Sequence, residues 1–203
     1  PTRNANMMTR NVGAAIIDLT VRDEESDQLT AYFADDRQAP LAYAGYTVDG
    51  ETAEAPPGND TIRGASVSIY FKSESVPGRA DTTLTYSLRA GAHAIAIDSS
   101  FTGAADAFEV FDMVRFDQSS DNVAVERTAN GDRDLFWIYD KWFGQAYGVV
   151  YPNGTMRVGG REGGRSAARI QYLFEGTDNL TLTDGQSIIV RRYLAPARTQ
   201  LEL

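Results

Sequence analysis

Apolar residues recur at every second position along much of the chain, the period of half-buried β-strands rather than of helices. Over residues 66–71, Val67, Ile69 and Phe71 fall on one face; over 83–88, Leu84, Tyr86 and Leu88 do the same against Thr and Ser. The 89–92 turn then leads into a segment that sets His93, Ile95 and Ile97 on one side, which predicts a hairpin. Near the start, 15–21 and 28–33 read as a hairpin joined by the acidic stretch 22–27. Segments 108–116, 135–139, 147–151, 168–174 and 187–193 combine β-branched and aromatic residues over strand lengths. The stretches 108–115 and 166–173 also admit short helices. From Asp35 to Asp60 the chain carries Pro40, Gly45, Gly50, Pro56, Pro57 and Gly58, which predicts loops with at most short edge strands.

About ten or more strands divided by turn sequences imply two packed sheets. The expected class is therefore all-β, a two-sheet antiparallel β-sandwich. At 203 residues one unit suffices, with 1–11 as a polar leader and 12–203 as a single domain. The chain opens without an initiator Met, as a mature product or a piece of a longer polypeptide would.

A net charge of -9 argues against nucleic acid as a partner, because neutralising phosphates needs clustered Lys and Arg. No apolar run reaches the length of a membrane-spanning helix. The absence of cysteine removes disulfides, thiolate metal sites and thiol nucleophiles, and leaves the compartment open. Only Lys72 and Lys141 are lysines, so the positive groups are almost all guanidiniums, suited to planar bidentate contacts.

A single histidine, His93, rules out a multi-histidine metal centre, and its alternation with Ile95 and Ile97 places it in a strand near the core. Asn130-Gly131-Asp132-Arg133-Asp134 has oxygen ligands at alternate positions but lacks the rest of a calcium loop, and Asn-Gly is the strongest short hairpin signal. No cofactor or metal is expected. The segment 135–147 holds both tryptophans; Tyr139, Trp142 and Tyr147 offer rings for stacking on sugar faces, with Asp140, Lys141 and Gln145 to fix hydroxyls. Aromatics also fill sandwich cores, and that alternative stays open. Residues 157–165 form a glycine-rich stretch in which Arg161 and Arg165 offer forks for a carboxylate or phosphate such as a uronic acid. It lacks the P-loop ending and the GxGxxG spacing, and a mobile surface loop explains it better, because such glycine-rich segments need no ligand.

The run from Asp81 through Thr85-Tyr86-Ser87-Leu88 to Ile95-Ala96-Ile97-Asp98 and Gly103 resembles the central hairpin of galactose-mutarotase-like β-sandwich domains. Residues 111–116, 146–151 and 182–194 are similar to later strands of the same family. The resemblance implies a supersandwich-like domain of the kind found in sugar epimerases, glycoside hydrolases and polysaccharide lyases, and as accessory modules beside PHP-type metallohydrolase domains. Mutarotase activity in that family uses a His with a Glu, a pair that His93 does not supply here.

The expected role is a non-catalytic accessory module that binds a carbohydrate or scaffolds a neighbouring catalytic domain. One rival is a sugar-active enzyme using Asp140 and Glu162 as acid and base. The other is a structural or protein-interaction domain.

Overall fold

A computed structural model describes residues 29–35, 41–53, 62–103, 105–119, 123–130, 133–140, 145–152, 156–158, 165–172 and 180–197. Every regular element among them is a strand. They are β1 (Leu29–Asp35), β2 (Leu41–Val48), β3 (Glu51–Ala53), β4 (Ser66–Ser73), β5 (Asp81–Arg89), β6 (Ile95–Thr102), β7 (Ala105–Phe108) and β8 (Phe111–Ser119). There follow β9 (Val123–Asn130), β10 (Arg133–Asp140), β11 (Gln145–Pro152), β12 (Met156–Val158), β13 (Arg165–Tyr172), β14 (Leu180–Leu182) and β15 (Ser187–Ala197). The expected all-β class holds, and 111–115 and 166–172 are strand, not helix. Among the described residues no helix is long and apolar enough to cross a membrane.

Nine strands form the larger sheet in the order β3-β2-β4-β5-β6-β15-β11-β10-β9, four form β1-β8-β13-β12, and β14 pairs with β7. All pairings are antiparallel. Residues directly opposite share a face, so the register carries the period-two pattern across the sheet. One apolar row runs Val67↔Leu88, another Ile69↔Tyr86↔Ile97↔Arg192, and a third Phe71↔Leu84↔Ser99↔Val190. Tyr43, Phe71 and Tyr86 meet edge to face at centroid separations of 6.3 and 5.9 Å. Leu84, Ile97, Phe101, Val149 and Leu194 are fully buried on this face. Leu88 belongs to the same row but is exposed, because it stands at the hairpin end beside the 89–92 turn.

The smaller sheet covers this apolar face. Asp112 of β8 accepts a hydrogen bond from the Tyr151 hydroxyl of β11 at 2.7 Å and lies 3.0 Å from Arg192 Nε of β15. Ile170 of β13, paired with Asp112, is also buried.

Two expectations need correction. The 35–60 region contains β2, eight residues long and paired on both sides, where only short edge strands were expected. Its glycines serve the strands instead of interrupting them. Gly45, at φ 136°, sits where the register shifts in a bulge, and Asp49-Gly50, at φ 52° and 92°, form a two-residue hairpin turn. Asp49 closes that turn by accepting the Ser66 amide at 2.8 Å. Second, β6 begins at Ile95, and His93 lies exposed in the preceding bend, since the 89–92 turn extends two residues further than its sequence suggests. At the edge of the smaller sheet, β1 pairs with β8. The 15–21 strand expected beside it lies outside the described residues, as does the leader 1–11. A hairpin does form around Asn130: β9 and β10 pair from Asn130↔Arg133 onward, with Asn130 the last residue of β9.

Candidate functional site

The second face of the nine-stranded sheet is polar because each core strand alternates. Its rows run Thr47↔Ser68↔Ser87↔Ala96↔Tyr193↔Val150, then Tyr70↔Thr85↔Asp98↔Arg191, then Lys72↔Thr83↔Ser100↔Ile189. Hydroxyls bridge neighbouring strands, Ser68 Oγ to Ser87 Oγ at 2.8 Å and Thr47 Oγ1 to the Tyr70 hydroxyl at 3.1 Å. At the centre Arg191 donates through Nε to Asp98 Oδ1 at 2.7 Å and through Nη2 to Oδ2 at 2.5 Å. This fork-to-fork pair fixes both planes. The hydrogen bonds to Asp98 and its charge, with a smaller contribution from Tyr193, hold the Arg191 guanidinium still more firmly protonated than usual.

The pair faces solvent. The Arg191 side chain is 58% exposed, and the residues two before and two after it, Ile189 and Tyr193, are 65% and 40% exposed. A ring, an aliphatic side chain and an oriented carboxylate–guanidinium pair thus stand together above a floor of Thr and Ser hydroxyls. Such a surface stacks on an apolar face and satisfies hydroxyl donors and acceptors beside it.

The residues singled out from sequence were others. Tyr147, expected to contact ligand, is 1% exposed and belongs to the core. Its strand alternation sends it inward with Val149 and Tyr151, so its ring presents no face to a ligand in solvent. Tyr139 and Asp140 end β10, opposite Ala146 and Gln145 of β11. Lys141 and Trp142, in the connection between those strands, lie outside the described residues, as do Arg161 and Glu162 in the connection between β12 and β13. Arg165 begins β13, opposite Ser119. Asp98, Arg191 and Tyr193 were missed as a site. Their signal was present in the alternation of 95–98 and 187–193, which leaves Asp98 opposite in facing to Ile97, and Arg191 and Tyr193 opposite to Leu194. Among the described residues no group of three or more His, Asp or Glu is arranged to hold a metal.

The fold places the chain in the class of antiparallel β-sandwich domains. It is similar to a TPR-domain containing protein from Parabacteroides distasonis, with a TM-score of 0.61, 9% identity and 93% of this chain covered. The match spans 44% of that protein's length. It is also similar to a galactose mutarotase-like protein from Lactobacillus casei, at TM-score 0.43 and 9% identity, over 92% of this chain and 95% of that one. An α-galactosidase from Geobacillus stearothermophilus in complex with raffinose gives TM-score 0.41 and 11% identity, over 79% of this chain and 30% of that one. Only the first of these scores exceeds 0.5, and at these identities the likeness concerns the fold alone. No family model and no curated protein matches the chain.

Proposed function

We propose that this chain is a non-catalytic module that binds a carbohydrate on the open face of its nine-stranded sheet and serves a neighbouring catalytic domain. The observation that carries the reading is the bidentate Asp98–Arg191 pair flanked by the exposed Tyr193 ring. Both Asp98 oxygens accept from one guanidinium, an arrangement that fixes their direction and suits holding a hydroxyl more than passing a proton. The reading includes Tyr139, Asp140, Lys141, Trp142 and Gln145 at the β10–β11 connection, and Arg161 and Arg165 at the glycine-rich connection, as further contacts.

A glycan-array screen tests it, run on the unaltered chain, Tyr193→Ala and Trp142→Ala. Saturable binding of one sugar class, lost in Tyr193→Ala, supports the open-face site. Binding lost only in Trp142→Ala moves the site to the β10–β11 connection. No binding to any glycan removes the carbohydrate reading and leaves a scaffold or interaction domain. Turnover of a bound sugar would overturn the non-catalytic part.

A further inference from the structure

Arg191 and Arg192 are consecutive in β15 and serve opposite faces of the same sheet. Arg191 forks onto Asp98 on the open face. Arg192, with no exposed surface, meets Asp112 across the core at 3.0 Å and donates through Nη2 to Ser99 Oγ at 2.9 Å. The apolar pattern of β15 does little to choose which set faces inward. Ile188, Val190 and Leu194 alternate with Ile189, Tyr193 and Ala195, and each set carries one arginine. A slip of one residue exchanges the two sets between faces.

We propose that Asp98 and Asp112 together lock the register of β15, each excluding a slip in one direction, so that the buried Asp112 is a positioning residue for the open face. In the observed register Arg191 stands opposite Asp98, Arg192 opposite Ile97 and Ile189 opposite Ser100. A slip in one direction sets Arg192 opposite Asp98 and Val190 opposite Ser100. Asp98 keeps an arginine, but Tyr193 takes the core place opposite Ile97, and Arg191 enters the core opposite Ser99, one inward place away from the position that meets Asp112. A slip in the other direction brings Arg191 to the core place opposite Ile97, where it meets Asp112. Asp98 then faces Val190, and Ile188 stands opposite Ser100. Only the observed register sets one arginine directly opposite Asp98 and the other at the core place, opposite Ile97, that meets Asp112. Depriving the buried carboxylate is the costlier error, and fixing register is the best-attested use of a buried ion pair.

The absence of cysteine makes the register readable by introduced pairs. Ser100→Cys is combined with Ile188→Cys, Ile189→Cys or Val190→Cys, and disulfide closure is followed under mild oxidation. Cysteines opposite each other on one face reach bonding geometry, whereas those on opposite faces do not. With both carboxylates present, only the 189 pair is expected to close. Asp112→Asn is expected to add closure of the 190 pair and not the 188 pair; Asp98→Asn is expected to add the 188 pair and not the 190 pair. General loosening would raise the 188 and 190 pairs together, and that result, or no new closure in either variant, overturns the lock. Should Asp112→Asn fail to fold, Asp98→Asn decides by the same criterion. The consequence for binding rests on the open-face reading, but the lock does not. Failure to bind any glycan therefore leaves the disulfide result standing, and the reverse also holds.

Discussion

Arg192 Nε lies 3.0 Å from Asp112 Oδ2 with both side chains at 0% exposure, and this contact joins the two sheets across their shared core. The surrounding polar groups complete it. Tyr151 donates to the same Asp112 oxygen, and Arg192 donates through Nη1 to the Val190 carbonyl at 3.0 Å and through Nη2 to Ser99. A buried pair of this kind adds little over apolar residues of equal volume, yet breaking it is costly, because the remaining charge is left in a medium of low polarity.

Asp112→Asn is therefore expected to destabilise the fold by about 3–5 kcal/mol. Replacing both partners, Asp112→Leu with Arg192→Met, is expected to cost far less. Urea unfolding of the three proteins checks the order, and equal losses in the single and double variants would contradict it.

Tyr151→Phe removes one hydrogen bond to the same carboxylate and leaves the ring in place. A bond to a charged group contributes about 1.5–3 kcal/mol, so a loss in that range is expected in denaturant unfolding. A loss below about 0.5 kcal/mol would show that Asp112 finds an equivalent donor.

On the open face the expectation reverses. Arg191→Ala breaks an exposed pair, and such pairs contribute about 0–1 kcal/mol, so stability should change little while glycan affinity falls. Thermal unfolding and titration calorimetry on one sample separate the two effects. A large loss of stability with unchanged binding would make Arg191 a structural residue.

Alkaline pH probes the core through Tyr86. Burial pushes its hydroxyl well above the ordinary value of 10.0, with the Arg192 charge opposing the rise and Asp112 adding to it. The folded state thus keeps a proton that the unfolded state releases, so this contribution is complete below about pH 10 and is lost as pH rises beyond it. Melting temperature should fall more steeply between about pH 9 and about pH 11 in the unaltered chain than in Tyr86→Phe. Parallel curves would show that Tyr86 ionises alike in both states.

Much of the large sheet was legible in the sequence because strand alternation is a local property. Val67, Ile69 and Phe71 face Leu88, Tyr86 and Leu84, the sets that period two had separated from their polar neighbours. The β9–β10 hairpin was legible for the same local reason, since a turn sequence stands between two strand-like segments. Where local signals conflict, the reading failed. Gly45 and Gly50 looked like interruptions, but a bulge and a two-residue turn let β2 run on as an interior strand. The aromatic run 135–147 left open which rings face solvent, and the assembled sheet sends Tyr147 into the core.

The sequence by itself determined that this is an all-β chain, where several strands lie, and which residues of β4, β5 and β6 oppose their neighbours in facing. It could not decide which face would be covered, because Ile189, Arg191 and Tyr193 alternate as regularly as Ile188, Val190, Arg192 and Leu194. That choice depends on β8, which brings Asp112 to Arg192 from 80 positions earlier in the chain, and on β6, which brings Asp98 to Arg191 across 93. Such pairings exist only once the strands are assembled, and tertiary structure alone turned one arginine into a core residue and its neighbour into the centre of the open face.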